Sequence, residues 1–186
     1  MPQEEGLLLH ICCAPCGGGC VERLLAEGRR PRLYYSNSNL ATLEEFERRL
    51  ESVRLLARHF GVALEVDPYD HAAYLAAVSG FEHEPERGAR CVRCFAFNLG
   101  RTARRAAELG MRFATTLTVS PHKDSAVIFA AGSAFGHFEA IDFKKRDGFL
   151  RSNRIARELG FYRQKFCGCE FSLGTEDHQP HGSIEP

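Results

Sequence analysis

The sequence predicts an α/β fold, a mostly parallel sheet with helices on both faces. Short apolar runs alternate along the chain with segments of helical spacing, as repeated strand–helix units require. The chain has 186 residues, 44% of them hydrophobic, which suffices for one substantial core but not comfortably for two. No internal repeat or heptad run offers another architecture. A single domain is expected over residues 1–173, followed by a polar tail at 174–186 rich in glycine, histidine and proline.

The elements follow in order. Residues 7–12 read as the first strand, and Cys12-Cys13-Ala14-Pro15-Cys16-Gly17-Gly18-Gly19 as a glycine loop before a helix over 20–28. Leu33-Tyr34-Tyr35 marks a second strand. A long helix then carries Leu43, Phe46, Leu50, Val53, Leu56 and Phe60 on one face and stops at Gly61. Residues 62–66 suit a third strand and 71–79 a short helix, before a polar stretch over 80–90 that reads as a flexible loop. Helical spacing resumes over 91–109 and ends at Gly110. A threonine-rich strand is expected over 113–119, a helix over 125–135, a last strand over 138–141 and a last helix over 149–159.

The 24 basic residues balance the 24 acidic ones, so no global field drives the chain onto nucleic acid or membrane. The apolar run near the N-terminus is too short for a signal sequence or a membrane span, and a cytoplasmic protein is expected. Thiols stay reduced there, so the eight cysteines point to metal or redox chemistry rather than to a disulfide framework.

Those cysteines fall into three groups: Cys12, Cys13, Cys16 and Cys20; Cys91 and Cys94; Cys167 and Cys169. In a doubly wound sheet the loops after the strands share one edge, where ligands bind. Cys91 and Cys94 lie three apart at a helix start, on one face and near the positive end of the helix dipole, which favours thiolate. Gly168 lets the backbone between Cys167 and Cys169 approach a bulky ligand. Cys20, one helical turn from Cys16, reads as a small apolar core residue. A structural zinc would be satisfied by four thiolates. It leaves three cysteines unexplained, whereas a polynuclear iron–sulfur centre, or a cluster beside a second metal, uses them.

Four words of sequence carry a family resemblance: His10-Ile11-Cys12-Cys13-Ala14-Pro15-Cys16, Arg90-Cys91-Val92-Arg93-Cys94-Phe95, Thr115 to Lys123 around Ser120-Pro121-His122, and Tyr162 to Ser172 around Cys167-Gly168-Cys169. In this order they resemble the QueH family of cobalamin-independent epoxyqueuosine reductases, over residues 7–173. The resemblance implies reduction of epoxyqueuosine to queuosine at the wobble position of tRNA, a 4Fe-4S cluster with an adjacent mononuclear iron, an electron donor, and a fold similar to the adenine-nucleotide-hydrolase-like (HUP/PP-loop) sheet. Where PP-loop enzymes carry a serine-glycine-glycine loop for pyrophosphate, this chain carries Cys12 to Gly19, which argues against ATP chemistry. It also departs from the family's asparagine-proline-asparagine word, reading Asn37-Ser38-Asn39.

The resemblance makes Cys12, Cys13, Cys16, Cys91, Cys94, Cys167 and Cys169 the metal ligands. Cys91 and Cys94, with part of the Cys12-Cys13 pair, are expected to hold the cluster, and the remainder the extra iron. His122 and Lys123 are candidate proton donors or phosphate ligands, with a solvated loop as the other reading. Asn37, Asn39, Ser120, Lys123, Arg163 and Gln164 are candidate substrate contacts. Lys144, Lys145, Arg146, Arg151, Arg154, Arg157, Arg163 and Lys165, with a second group at Arg101, Arg104 and Arg105, are candidate RNA-facing charges. The rival function is a zinc-stabilised RNA-binding module without redox activity.

Overall fold

The computed structural model describes residues 6–172; the tail expected over 174–186 lies outside them. Four parallel strands form one sheet, β1 (Leu7–His10), β2 (Arg32–Tyr35), β3 (Leu64–Val66) and β4 (Arg112–Thr115), in the order β3-β2-β1-β4. Leu9 of β1 stands between Leu33 and Ala114. Every residue of β1 is buried, which explains why its sequence is a continuous apolar run instead of an alternation.

Leu7 and Leu9 face a layer made by α1 (Ala14–Ala26), α2 (Leu43–Phe60) and α6 (Gly148–Glu158), whereas Leu8 faces α4 (Ala89–Leu109) and α5 (Ser125–Ser133). Helices therefore cover both faces. The short α3 (His71–Val78) packs on α4 through Tyr74 and Val78. Thr42 caps α2 by accepting from the Glu45 N–H at 3.1 Å, and Gly61 ends it in the left-handed conformation. No helix among the described residues is long and apolar enough to cross a membrane.

The structure departs from the sequence expectations in four places. The glycine run is not a loop: α1 begins at Ala14, with Pro15 in its first turn, where a missing N–H costs nothing. A Cβ on Gly18 would meet Ile155, and one on Gly19 would lie 2.6 Å from the Gly148 carbonyl oxygen and 2.7 Å from Ser152 Oγ. The glycines are there so that α6 can lie directly on α1. Residues 116–119 leave the sheet as a 3-10 turn, started when Thr115 Oγ1 accepts from the Leu117 N–H.

Residues 138–141 make only a single bridge, Phe138 to Phe113. The Ile141 N–H then turns back to the Glu139 carbonyl, ending the pairing before a fifth strand forms. The stretch over 80–90 is anchored, not free. Arg90 is buried, donates to the carbonyl oxygens of Glu82 and Glu84, and stacks over Phe171 at 4.8 Å.

Replacing Gly19 by alanine should lower stability by about 1–3 kcal/mol through overpacking. Gly136→Ala, where the added carbon meets nothing within 4 Å, should be near neutral. Urea unfolding midpoints of the two variants check this; equal midpoints would remove the packing role given to Gly19.

Candidate functional site

The chain runs outward from β1 to β2 and β3, and returns to the other side of β1 for β4. The carboxyl ends of β1 and β4 thus flank a switch point, where an open α/β sheet leaves a crevice. His10 ties this edge together. Its ring pairs with Thr115 Oγ1 at 2.9 Å and with the Ser36 carbonyl oxygen at 3.1 Å. Burial lowers its pKa to about 4, so it is a neutral strut joining three strand ends.

Above it opens a cavity of about 470 Å³, lined by Cys12, Cys13, Cys16, Cys94 and Cys167. The expected substrate contacts Asn37, Asn39, Ser120, Lys123, Arg163 and Gln164 line it too, as does His122. Cys91 and Cys169 do not. They line a smaller adjoining cavity of about 100 Å³, together with Cys94 and Cys167. His122 and Lys123 border both. Cys20 is fully buried in the core, its thiol donating to the Cys16 carbonyl oxygen at 3.2 Å.

The thiols form two arrangements. Cys12 lies just after β1, Cys13 is the residue before α1 and Cys16 lies in its first turn, and the three sulfur atoms lie within 4.8 Å of one another. Such a group can hold one metal ion. Hydrogen bonds from Cys12 and Cys16 hold the Cys13 thiol well below its ordinary pKa, aided by the charge of Arg49 and an N–H from Gln164. The same sharing pushes Cys12 up to about 12 and raises Cys16. In the other group, the hydrogen bond from Cys169 lowers Cys167 to about 6 against the opposing effect of burial, with Lys123 and Arg49 assisting. Burial raises Cys94 and Cys91. The Arg87 N–H, held in a left-handed backbone conformation, donates to Cys91 Sγ at 3.2 Å.

Two cations balance this charge. Burial opposes the charged form of Lys123, but its attraction to the neighbouring cysteines, Cys167 first, outweighs it and raises its pKa. Arg49, 4% exposed, donates to Glu45 Oε1 at 2.7 Å, to the Cys167 carbonyl oxygen at 3.0 Å and to that of Phe166 at 3.4 Å. It therefore fixes the turn that presents Cys167. The sequence reading missed Arg49, although a charged residue between Phe46 and Leu50 on the apolar stripe of α2 was a usable signal. It also missed His10, inside an otherwise apolar strand, and Asn98, one turn after Cys94 on α4.

The remaining candidates are placed as follows. Asn37 Nδ2 donates to the Ile11 carbonyl oxygen at 2.9 Å, and Asn39 Oδ1 accepts from Asn98 Nδ2 at 3.0 Å. Ser120 Oγ accepts from the His122 N–H at 3.3 Å. Arg163 donates to Asn153 Oδ1 at 3.0 Å. The basic segments are largely committed within the fold. Lys144 holds the Lys123 carbonyl and Ser125 Oγ, Arg146 pairs with Glu27, Arg151 and Arg154 with Glu22, Arg101 with Asp67 and Arg105 with Glu65. What remains basic at the cavity mouth is Arg87, Arg163 and Lys165, all exposed.

A parallel sheet whose carboxyl edge opens into a cavity walled by cysteines from both ends of the chain defines a doubly wound α/β protein with a thiol group that could hold a metal ion. The family profile described as Epoxyqueuosine reductase QueH matches residues 7–175. The chain belongs to the QueH family. Proteins named Epoxyqueuosine reductase QueH from Streptococcus pyogenes and Haemophilus influenzae are 36% and 35% identical to it, over 91% and 90% of this chain and 71% of their own lengths. One from Thermotoga maritima is 32% identical over 96% of this chain and 95% of its own length.

In the metal-free protein, Cys167 should be alkylated by iodoacetamide faster than Cys91 at pH 7, with a rate that rises through a midpoint near pH 6. Lys123→Met should shift that midpoint upward by removing a stabilising charge. Peptide mapping by mass spectrometry reads both, and an unchanged midpoint would detach Lys123 from the thiolate.

Proposed function

We propose that this protein reduces the epoxide of epoxyqueuosine in tRNA to the alkene of queuosine, with a single iron on Cys12, Cys13 and Cys16 and a 4Fe-4S cluster on Cys91, Cys94, Cys167 and Cys169. The observation that carries the reading is that seven cysteines line two adjoining cavities that share Cys94, Cys167 and Lys123, with the sulfur atoms of Cys12, Cys13 and Cys16 close enough to hold one ion. Three thiolates around a tetrahedral ion with metal–sulfur bonds of about 2.3 Å stand about 3.8 Å apart. Cys12 and Cys13 Sγ are 3.9 Å apart, so the triad suits one ion. Four cysteines are the donor set of a 4Fe-4S cluster. This division differs from the sequence expectation, in which part of the Cys12-Cys13 pair joined the cluster.

When bound, the iron supplies a Lewis acid with an open position and the cluster a relay for single electrons. The reaction consumes two electrons and two protons: both C–O bonds of the epoxide break, a C=C bond forms, and the oxygen leaves as water. The chain's own residues supply the rest. Lys123, charged at every physiological pH, stands beside both thiol groups and is positioned to donate a proton to the departing oxygen. His122, exposed at the mouth, is placed to pass protons in from solvent. Arg49 and the Gln164 amide, which donates to Cys13 Sγ at 3.2 Å, orient the sulfur atoms. Arg87, Arg163 and Lys165 suit the phosphates on either side of a base drawn out of a single-stranded loop.

Protein purified anaerobically and supplied with a chemical reductant should convert epoxyqueuosine-containing tRNA without ATP. Cys94→Ala should lose the broad visible absorption and the acid-labile sulfide; Cys16→Ala should keep both and lose about one equivalent of iron. Colourless, sulfide-free wild-type protein holding zinc would overturn the redox reading in favour of a zinc-stabilised RNA-binding module.

A further inference from the structure

The threonine-rich word after β4 carries three hydroxyls with three different tasks. Thr115 Oγ1 serves His10 and the Leu117 N–H, and Thr118 Oγ1 donates to the Ile141 carbonyl oxygen at 2.9 Å while accepting from the Phe143 N–H at 3.3 Å. The third turns to the thiols. Thr116 Oγ1 accepts the Cys12 N–H at 3.3 Å and lies 3.5 Å from Cys12 Sγ, so one hydroxyl grips both the backbone and the side chain of one cysteine. Pairing of β1 with β4 ends at His10 and Thr115, and beyond that point the Thr116 side chain carries the connection between the two segments. Thr116 is fully buried and is not among the residues that line either cavity. It reaches the site only through the sulfur of Cys12.

We propose that Thr116 is a positioning residue for the metal on Cys12, Cys13 and Cys16, donating its hydroxyl hydrogen to Cys12 Sγ. The inference rests on the three-cysteine iron site proposed above and deepens it. In the metal-free protein either atom can be the donor. A metal-bound thiolate has no proton to give, and the Thr116 oxygen already accepts the Cys12 N–H, so ligation fixes the direction of the bond: the hydroxyl donates and the sulfur accepts. Two effects follow. The bond holds Cys12 Sγ beside Cys13 Sγ, 3.9 Å away. It also draws electron density off the sulfur, which leaves the metal a stronger Lewis acid. Valine would fill the same space, so packing alone gives no reason for a hydroxyl here. Gln164 donates to Cys13 Sγ at 3.2 Å, but it lines the cavity, where a change would also disturb the substrate's surroundings. Thr116 acts from within the core, so its effect on the metal can be isolated.

Cobalt(II) is the probe, because cobalt–thiolate bonds give charge-transfer absorption whose energy reports the electron density on sulfur. The metal-free full chain is titrated with cobalt(II), and the part of the signal that Cys16→Ala loses is assigned to the triad. Thr116→Val should lower the affinity of that site about tenfold and move its charge-transfer band to longer wavelength. Thr116→Ser, which keeps the hydroxyl, should restore both. If Thr116→Val loses thermal stability alone, with band and affinity at wild-type values, the hydroxyl is structural and the proposal is overturned. If Thr116→Val does not fold, Thr116→Ala and Thr116→Ser carry the same comparison, and equal bands and affinities in the two overturn it. If Cys16→Ala binds cobalt as the wild-type protein does, the triad holds no metal; the three-cysteine iron site then falls and this inference with it, a result distinct from a triad that binds metal and ignores Thr116.

Discussion

Negative charge on sulfur, confined where the sheet excludes water, is the constraint around which this molecule is arranged. Each thiol group of the metal-free protein holds one thiolate favoured by its neighbours, Cys13 in one and Cys167 in the other. Charge in a medium of low polarity is expensive unless it is paired. The fold answers with Arg49 and Lys123, one from a long helix and one from the loop after β4. Arg49 in turn requires Glu45, and Glu45 accepts from the Tyr162 hydroxyl at 3.2 Å, so the charge balance extends from the cavity to the segment that brings Cys167 home. Removing one member leaves the others buried without a counter-charge.

Geometry serves that balance. Gly18 and Gly19 of α1 bring α6 against it, and α6 leads into the strap that carries Gln164 and Cys167. His10 and Asn37, each bonded to backbone of a neighbouring segment, keep the strand ends at fixed spacing. The loop before α4 is pinned by Arg90 beneath Phe171, so Cys91 from the middle of the chain and Cys169 from near its end approach the same small cavity. Polar residues at this edge are thus struts first, and the few atoms left without partners stand out against them.

Much of this was legible in the sequence. The apolar stripe of α2 and its glycine stop, the buried first strand and the cysteine spacing follow from periodicity and residue chemistry alone. The start of α1 was hidden because glycine is a poor helix former by propensity, and only tertiary contact with α6 reveals why it is tolerated. The strand expected over 138–141 has suitable residues but only one bridge to pair with, a fact set by β4 and not by its own composition. Lys144 to Arg154 read as a basic surface because Glu22 and Glu27 are distant in sequence. The partners of a charge, unlike its sign, depend on the fold. Asn98 is the sharpest case, an ordinary polar letter on a helix that turns out to hold Asn39 from the other side of the sheet edge.

The separation of the cysteines along the chain also dictates an order of events. Cys12, Cys13 and Cys16 leave the ribosome first and Cys167 and Cys169 last, with nearly the whole domain between them. Helix α1 is weak by itself because of its glycines and gains support when α2 and α6 dock on it. The cavity is therefore complete only when the last segment has docked, and a group that needs sulfur from both ends of the chain can be received by the finished fold and not by the growing one.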